Sequence, residues 1–326
     1  MNDLPMVDSL EILVIVDNVT DSLSTNPAGV EPELRGQFAR GRIKMMSGAG
    51  ICCAHHGLSL LISARTGDHA QTLLFDTGAE GPTFMRNAGI LGVDFGSISD
   101  VVLSHGHWDH AGGLEVAIDQ IAKARGPGKV TCYMHPGMFS QRGMTLPSGI
   151  IFPMEPVPRP EKLTSIGATV INSTASQMVG NGTFFVSGEI PRVTSYEKGL
   201  PGQVRKSDDG KSWEPDTLLM DERFVSVHVK DRGQFIFSAC SHAGIINVLK
   251  HASTVFPDVP LYGIMGGLHL AGSTESIIPE TVADLQQFDL QLLAPGHCTG
   301  WKALSALERA FGNCVAPLAV GKRFTI

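Results

Sequence analysis

Short β-type apolar runs that stop abruptly at Gly, Asp, Ser or His recur along this chain. "EILVIVDN" (11–18), "LSLLISA" (58–64), "TLLFDTG" (72–78), "DVVLSHGH" (100–107), "VTCYMHPG" (130–137), "FIFSACSHAG" (235–244), "LYGIMGGLHL" (261–270) and "LQLLAPGHCTG" (290–300) all follow that rule. Each predicts a strand that delivers polar side chains from its carboxyl end, the arrangement by which α/β proteins build sites along one loop-lined edge. Helical periods alternate with several of them. In "GGLEVAIDQIAKAR" (112–125), Leu114, Ala117, Ile118 and Ile121 form one stripe, with Glu115, Asp119 and Lys123 outside it. Further helices are predicted over "GIINVLKHAS" (244–253), "ESIIPETVADLQQF" (275–288) and "WKALSALERAFG" (301–312).

Segments 27–50 and 140–163 are rich in Gly and Pro and show no clear period, and 196–216 is similar. All three read as long loops near a site entrance, because loops beyond about 12–15 residues are often functional. No linker divides the 326 residues, and the reading is one domain over 1–326.

Composition narrows the class. Hydrophobic residues make up 43% and charged residues 17% of the chain, which describes a globular enzyme with a sizeable core. The formal charge of −7 and the absence of a Lys/Arg block argue against a nucleic-acid surface, leaving a small molecule as the expected partner. No apolar run approaches the ~18 residues of a membrane span. The N-terminus has acids where a signal peptide has bases, so a cytoplasmic location is expected. The six cysteines, Cys52, Cys53, Cys132, Cys240, Cys298 and Cys314, form no C-x-x-C pair and read as reduced thiols, most of them small buried hydrophobes.

Chemistry concentrates in "VVLSHGHWDHAGG" (101–113), where His105, His107, Asp109 and His110 fall within six residues as a strand turns into a helix. Imidazole nitrogens and carboxylate oxygens suit zinc and similar divalent ions. Four donors in one turn exceed what a single tetrahedral catalytic ion takes from one loop, which points to two metals. Gly106, Gly112 and Gly113 permit the close approach such a turn needs.

This stretch resembles the signature of the metallo-β-lactamase-fold hydrolases. "FDTG" (75–78) resembles the superfamily's first motif, and "HHGLSLL" (55–61), "GEIPRVTSYE" (188–197), "CSHAGIIN" (240–247), "GGLHL" (266–270) and "HCTG" (297–300) resemble the branch labelled 7,8-dihydropterin-6-methyl-4-(β-D-ribofuranosyl)-aminobenzene-5′-phosphate synthase-like. The resemblance implies an α/β, four-layer αββα sandwich with the metal site on one edge between two mixed sheets. It makes His105 and His107 ligands of one ion and Asp109 and His110 ligands of a second. His297 fills the terminal motif, and His242 supplies a further imidazole where a generic member carries an acidic motif. Cys240 either replaces the bridging carboxylate or packs. His56 and His269 either contact substrate or support the site, or are structural. Asp76 orients a ligand, and Asp109, or Asp76 through a ligand, handles the proton of the attacking water.

Zinc is the expected cofactor, one or two ions, with iron or manganese as alternatives. Arg192, Lys198, Arg205 and Thr299 are candidates for an anionic group, and Trp108, Phe152, Trp213 and Trp301 for walls around a ring. The expected activity is hydrolysis of a small ester, lactone, amide or phosphoester by metal-bound hydroxide. Two alternatives stand beside it: a synthase or lyase on a pterin or phosphoribosyl compound, and a ligand-binding effector without turnover.

Overall fold

The computed structural model describes residues 3–326. Among them, two large mixed sheets lie face to face. One runs, edge to edge, through Ala168–Asn172, Val130–Met134, Ile98–Val102, His69–Phe75, Ser59–Thr66, Ser9–Val16, Arg323–Thr325 and Val30–Glu31. The other runs through Gln177–Val179, Phe184–Val186, Val225–Val229, Gly233–Ser238, Leu261–Gly267 and Leu292–Gly296, with Met6–Val7 also pairing Val225–Val229. Arg323–Thr325 returns to pair antiparallel with both Ser9–Val16 and the edge strand Val30–Glu31, inserting between them.

The layering follows from the period of two along each strand. Leu73 and Phe75 join Phe235 and Phe237 in a core between the sheets, with Leu10, Ile12, Val227 and Met265. The intervening residues face outward onto helices. Leu74 packs with Phe84, Ala88, Leu114 and Ile118 of Gly81–Leu91 and Leu114–Arg125. Ile236 packs with Val248 and Leu249 of Ile245–Val255, and with Leu285 and Leu307 of the two later helices. Burying each such side chain contributes about 1.5–3 kcal/mol, and since both sheet faces are covered, the strands read as nearly unbroken apolar runs. Helix, sheet, sheet, helix is the resulting order. Among the described residues, no helix is long and apolar enough to cross a membrane.

The three segments expected to be loops are partly built. Arg142–Thr145, Ile151–Pro153, Gln203–Lys206 and Trp213–Pro215 form a third, antiparallel sheet that joins 140–163 to 196–216. Segment 27–50 contains the strand Val30–Glu31 and a helix, Glu33–Ala39, tied to its surroundings by Gln37 Nε2 donating to Ile90 O. Strands of two to four residues and a two-turn helix are too short to display a period, and their Gly and Pro obscured the rest. Arg142 anchors the small sheet: it is buried, and its guanidinium bonds Asp216 at 2.8 Å and both oxygens of Asp221 at 2.7 and 2.9 Å.

Candidate metal centre

Parallel pairing brings the carboxyl ends of six strands to one edge. In the first sheet His69–Phe75, Ile98–Val102 and Val130–Met134 run parallel, ending at Asp76, at Ser104–His110 and at His135. In the second, Gly233–Ser238, Leu261–Gly267 and Leu292–Gly296 run parallel, ending at Cys240–His242, His269 and His297. The backbone is strained where the chain turns into the site. Asp76, Ser241, His269 and His297 have φ of 57°, 58°, 44° and 47°, four of the seven non-glycine residues with positive φ among those described. Such conformations cost on the order of 1–3 kcal/mol each and cluster at functional sites.

His105, His107 and His242 form the first group, with their ligand-type atoms mutually within 4.8 Å. His105 Nε2 lies 3.0 Å from His107 Nδ1. On its other side, His105 Nδ1 is 2.9 Å from Ser104 Oγ, which donates to Asp76 Oδ2 at 2.7 Å. That chain leaves Ser104 Oγ as acceptor from His105 Nδ1–H, so Nε2 carries the lone pair facing the group. Both loops are held from behind by adjacent acids. Asp221 Oδ2 accepts from Gly106 N at 2.8 Å, and Glu222 accepts from the amides of His242 and Ala243 at 2.8 and 2.6 Å.

The second group lies around Asp109. Its Oδ2 is 3.2 Å from His56 Nε2, 3.4 Å from His297 Nε2 and 3.7 Å from His110 Nε2. Asp76 Oδ2 holds His110 Nδ1 at 2.7 Å, leaving His110 Nε2 directed at Cys240 Sγ, 3.2 Å away. His297 is fixed by its amide donating to Asp17 Oδ1 at 2.8 Å and by Nδ1 lying 3.1 Å from Asn18 Oδ1. His56 stacks on Trp108 with ring centres 5.7 Å apart.

The donor set fits a divalent metal. His297 Nε2 and both nitrogens of His242 are buried with no hydrogen-bond partner, and ligation through one nitrogen of each ring would remove part of that cost. At zinc–nitrogen distances of about 2.0–2.1 Å, tetrahedral neighbours lie ~3.3 Å apart, close to the 3.0 Å separating His105 Nε2 from His107 Nδ1. Electrostatics favour metal-ready states in part of the set. Burial, reinforced by the neighbouring imidazoles, pushes His105 well below its ordinary value, and burial pushes His107 down to about 3, so both rings are neutral. Burial also works to raise Asp109, but His110 together with contacts from His297 and His56 holds it well below the usual carboxylate range. His110 is pushed up to about 9, because Asp109 and Asp76 outweigh burial. It would exchange a proton for an ion.

The remaining candidates divide. His269, its ring centre 4.3 Å from that of His242, lines a cavity of about 360 Å³ with His242, Tyr196, Lys198 and Leu270. Arg192 is turned away, donating to the carbonyls of Ile190 and Leu218. Arg205 pairs with Glu214 in the small sheet, where Lys206 lies over the ring of Trp213. Thr299 Oγ1 accepts from Leu268 N, a structural bond. Phe152 and Trp301 are exposed. Sequence reasoning missed Asp17, Asn18, Ser104, Asp221, Glu222 and the closeness of Cys298. Asp17, Asn18 and Ser104 carried the signal of a polar residue closing a predicted strand, whereas the buried "DER" (221–223) carried none.

Comparison with known proteins bears on the fold. A family model described as the metallo-beta-lactamase superfamily matches residues 56–195. A 7,8-dihydropterin-6-methyl-4-(beta-D-ribofuranosyl)-aminobenzene-5'-phosphate synthase of Methanocaldococcus jannaschii is 27% identical, over 82% of this chain and 89% of its own length. An uncharacterized protein of the same organism is 28% identical over 78% and 88%. A solved structure described as a metal-dependent hydrolase of the beta-lactamase superfamily superposes with a TM-score of 0.70 at 21% identity, covering 97% of this chain and 98% of the other. A metallo-beta-lactamase fold protein of Bacillus subtilis gives 0.53 at 14% identity, covering 97% and 99%.

Proposed function

Because the chain carries the metallo-β-lactamase fold, we propose that it is a metal-dependent enzyme acting on a small molecule, and that its reaction is hydrolysis of an ester, lactone, amide or phosphoester. The observation that carries this reading is the convergence of buried imidazoles with unpartnered nitrogens on one strand edge, beside an open cavity. His105, His107 and His242 would hold one ion, and Asp109, His110 and His297 a second. A divalent metal there, zinc in this proposal, lowers the pKa of water toward ~7 and polarises the oxygen under attack.

The chain's own residues supply the rest. Asp109 Oδ2, held ionised by its neighbours, would accept a hydrogen bond from the attacking water and orient it, and the half-exposed ring of His56 touching it links it to solvent. Asp76 fixes His110 through Nδ1 and, through Ser104, fixes His105. The cavity offers Tyr196, Leu270 and Ile277 as apolar wall and Lys198 and Thr274 as polar contacts, which suits a molecule with an apolar body and an anionic group.

A second reading, synthesis on a pterin or phosphoribosyl compound, is favoured by the relative named as a synthase. Elemental analysis of the purified protein, with a panel of esters, lactones, amides and phosphoesters, tests the first. Zinc together with hydrolysis supports it. Metal without hydrolysis, and with formation of a ribofuranosyl-aminobenzene phosphate, moves the assignment to the second. Full activity in metal-free protein removes both.

A further inference from the structure

The sulfur of Cys240 lies where the ligand groups meet. Five groups of at least three ligand-type residues occur among the described residues, and Cys240 belongs to three: with His105 and His110, with His297 and Cys298, and with His242 and His269. Within each group the ligand atoms are mutually within 4.8 Å. Asp109 belongs to one group only, with His56 and His297, so the carboxylate lies to one side. Cys240 is buried and its loop is locked: the neighbouring Ser241 Oγ donates to Gly267 O at 2.7 Å and lies 2.8 Å from Ser238 Oγ. Because Asp76 occupies His110 Nδ1, the imidazole and the thiol face each other at 3.2 Å, His110 through Nε2. Cys298 Sγ approaches the same sulfur at 3.4 Å and donates toward Cys240 O at 3.6 Å. A cysteine that only fills space sits among apolar side chains, whereas this one is ringed by imidazoles and a second thiol.

We propose that Cys240 is a bridging thiolate shared by the two ions, with the Cys298 thiol as hydrogen-bond donor to its sulfur. The inference rests on the metal-dependent reading above. On binding, the Cys240 S–H bond breaks, the proton leaves to solvent, and sulfur lone pairs form the bonds to the ions, with no change of oxidation state. A metal-coordinated thiol is deprotonated outright. With sulfur in the bridge and Asp109 as the one carboxylate, the resulting set is softer than one bridged by carboxylate and favours zinc or cadmium over manganese.

Cobalt(II) tests this without reference to turnover. Metal-free protein is titrated with Co²⁺, uptake is followed by equilibrium dialysis, and the near-ultraviolet spectrum reports sulfur-to-cobalt charge transfer. Uptake accompanied by a charge-transfer band is expected in the wild type. Cys240→Asp should keep the uptake, since it supplies a carboxylate bridge, and lose the band; Cys298→Ser should keep both. A band that persists in Cys240→Asp, or wild-type uptake without a band, overturns the thiolate while leaving the metal-dependent reading intact. No Co²⁺ uptake in the wild type overturns both.

Discussion

The two sheets furnish the metal edge in different ways. The first places His105, His107, Asp109 and His110 in one turn of six residues and steadies it mainly from its own adjacent strand end, through Asp76 and Ser104. The second contributes one imidazole per loop, His242, His269 and His297, and two of those loops depend on acids far away in sequence. Glu222 holds His242 from 20 residues upstream, and Asp17 holds His297 across 280 residues, from the opposite sheet. A compact half can be specified by a local motif. A dispersed half exists only once both sheets have docked.

The largest effect expected is on the compact half. His107→Ala should lower metal content and abolish turnover while circular dichroism remains native, because the core between the sheets does not involve the edge. Global unfolding of that variant would instead mean that the metal is structural. In the dispersed half, His242→Ala should lose metal, whereas His269→Ala, altering a residue that lines the cavity, should keep its metal and lose rate. The reverse pattern in elemental analysis would exchange the roles of those two histidines.

The supporting acids sharpen the comparison. Glu222→Gln and Asp76→Asn should each weaken metal binding by about 10- to 100-fold, the usual cost of removing a group that orients a ligand. Equal losses in both, measured by competition with a chelator, would show that the remote brace matters as much as the local one; no loss in Glu222→Gln would show that the dispersed loops hold themselves.

A smaller effect belongs to the small sheet. Asp221→Asn breaks a buried charge pair but keeps an acceptor for Gly106 N, and should cost about 1–3 kcal/mol at neutral pH. Burial tends to raise the Asp221 carboxyl, but Arg142 and hydrogen bonds hold it below its ordinary value. Its contribution is therefore present above the unfolded carboxylate pKa and lost as pH falls through the lower folded one. The gap between variant and wild type in denaturant titrations should close below about pH 4; a gap that stays constant with pH would remove the charge pair from the account. Smallest of all, Trp301→Ala, at a side chain 77% exposed, should change stability by no more than about 0.5 kcal/mol and leave KM unaltered. A raised KM would extend the substrate site to that helix.

The same contrast explains what could be read from sequence. Strand ends, helices with clear stripes and the His105–His110 turn are local patterns, and they place the elements and four of the six donors, while the layering came from the family resemblance. His242 and His297 each close an apolar run, as His269 does, and were singled out by the motifs they resemble. Asp221 and Glu222 were not: no local pattern marks them, and only the docking of Arg142 and of the Gly106 and His242 loops buries them. Asp17 and Asn18 close one of the predicted strands, but nothing near them hints at His297 as their partner. Cys298 looked like a packing residue until folding set it 3.4 Å from Cys240. Segments 140–163 and 196–216 each form short strands, but the order of their sheet, Trp213–Pro215, Gln203–Lys206, Arg142–Thr145, Ile151–Pro153, is a non-local property.

Anomalous diffraction at the zinc absorption edge, from crystals of zinc-loaded protein, tests most directly whether both sheets build one metal centre. Two peaks are expected, one enclosed by His105, His107 and His242, the other beside Asp109, His110 and His297. Peaks bound only by the His105–His110 turn, or found away from this edge, would contradict the account.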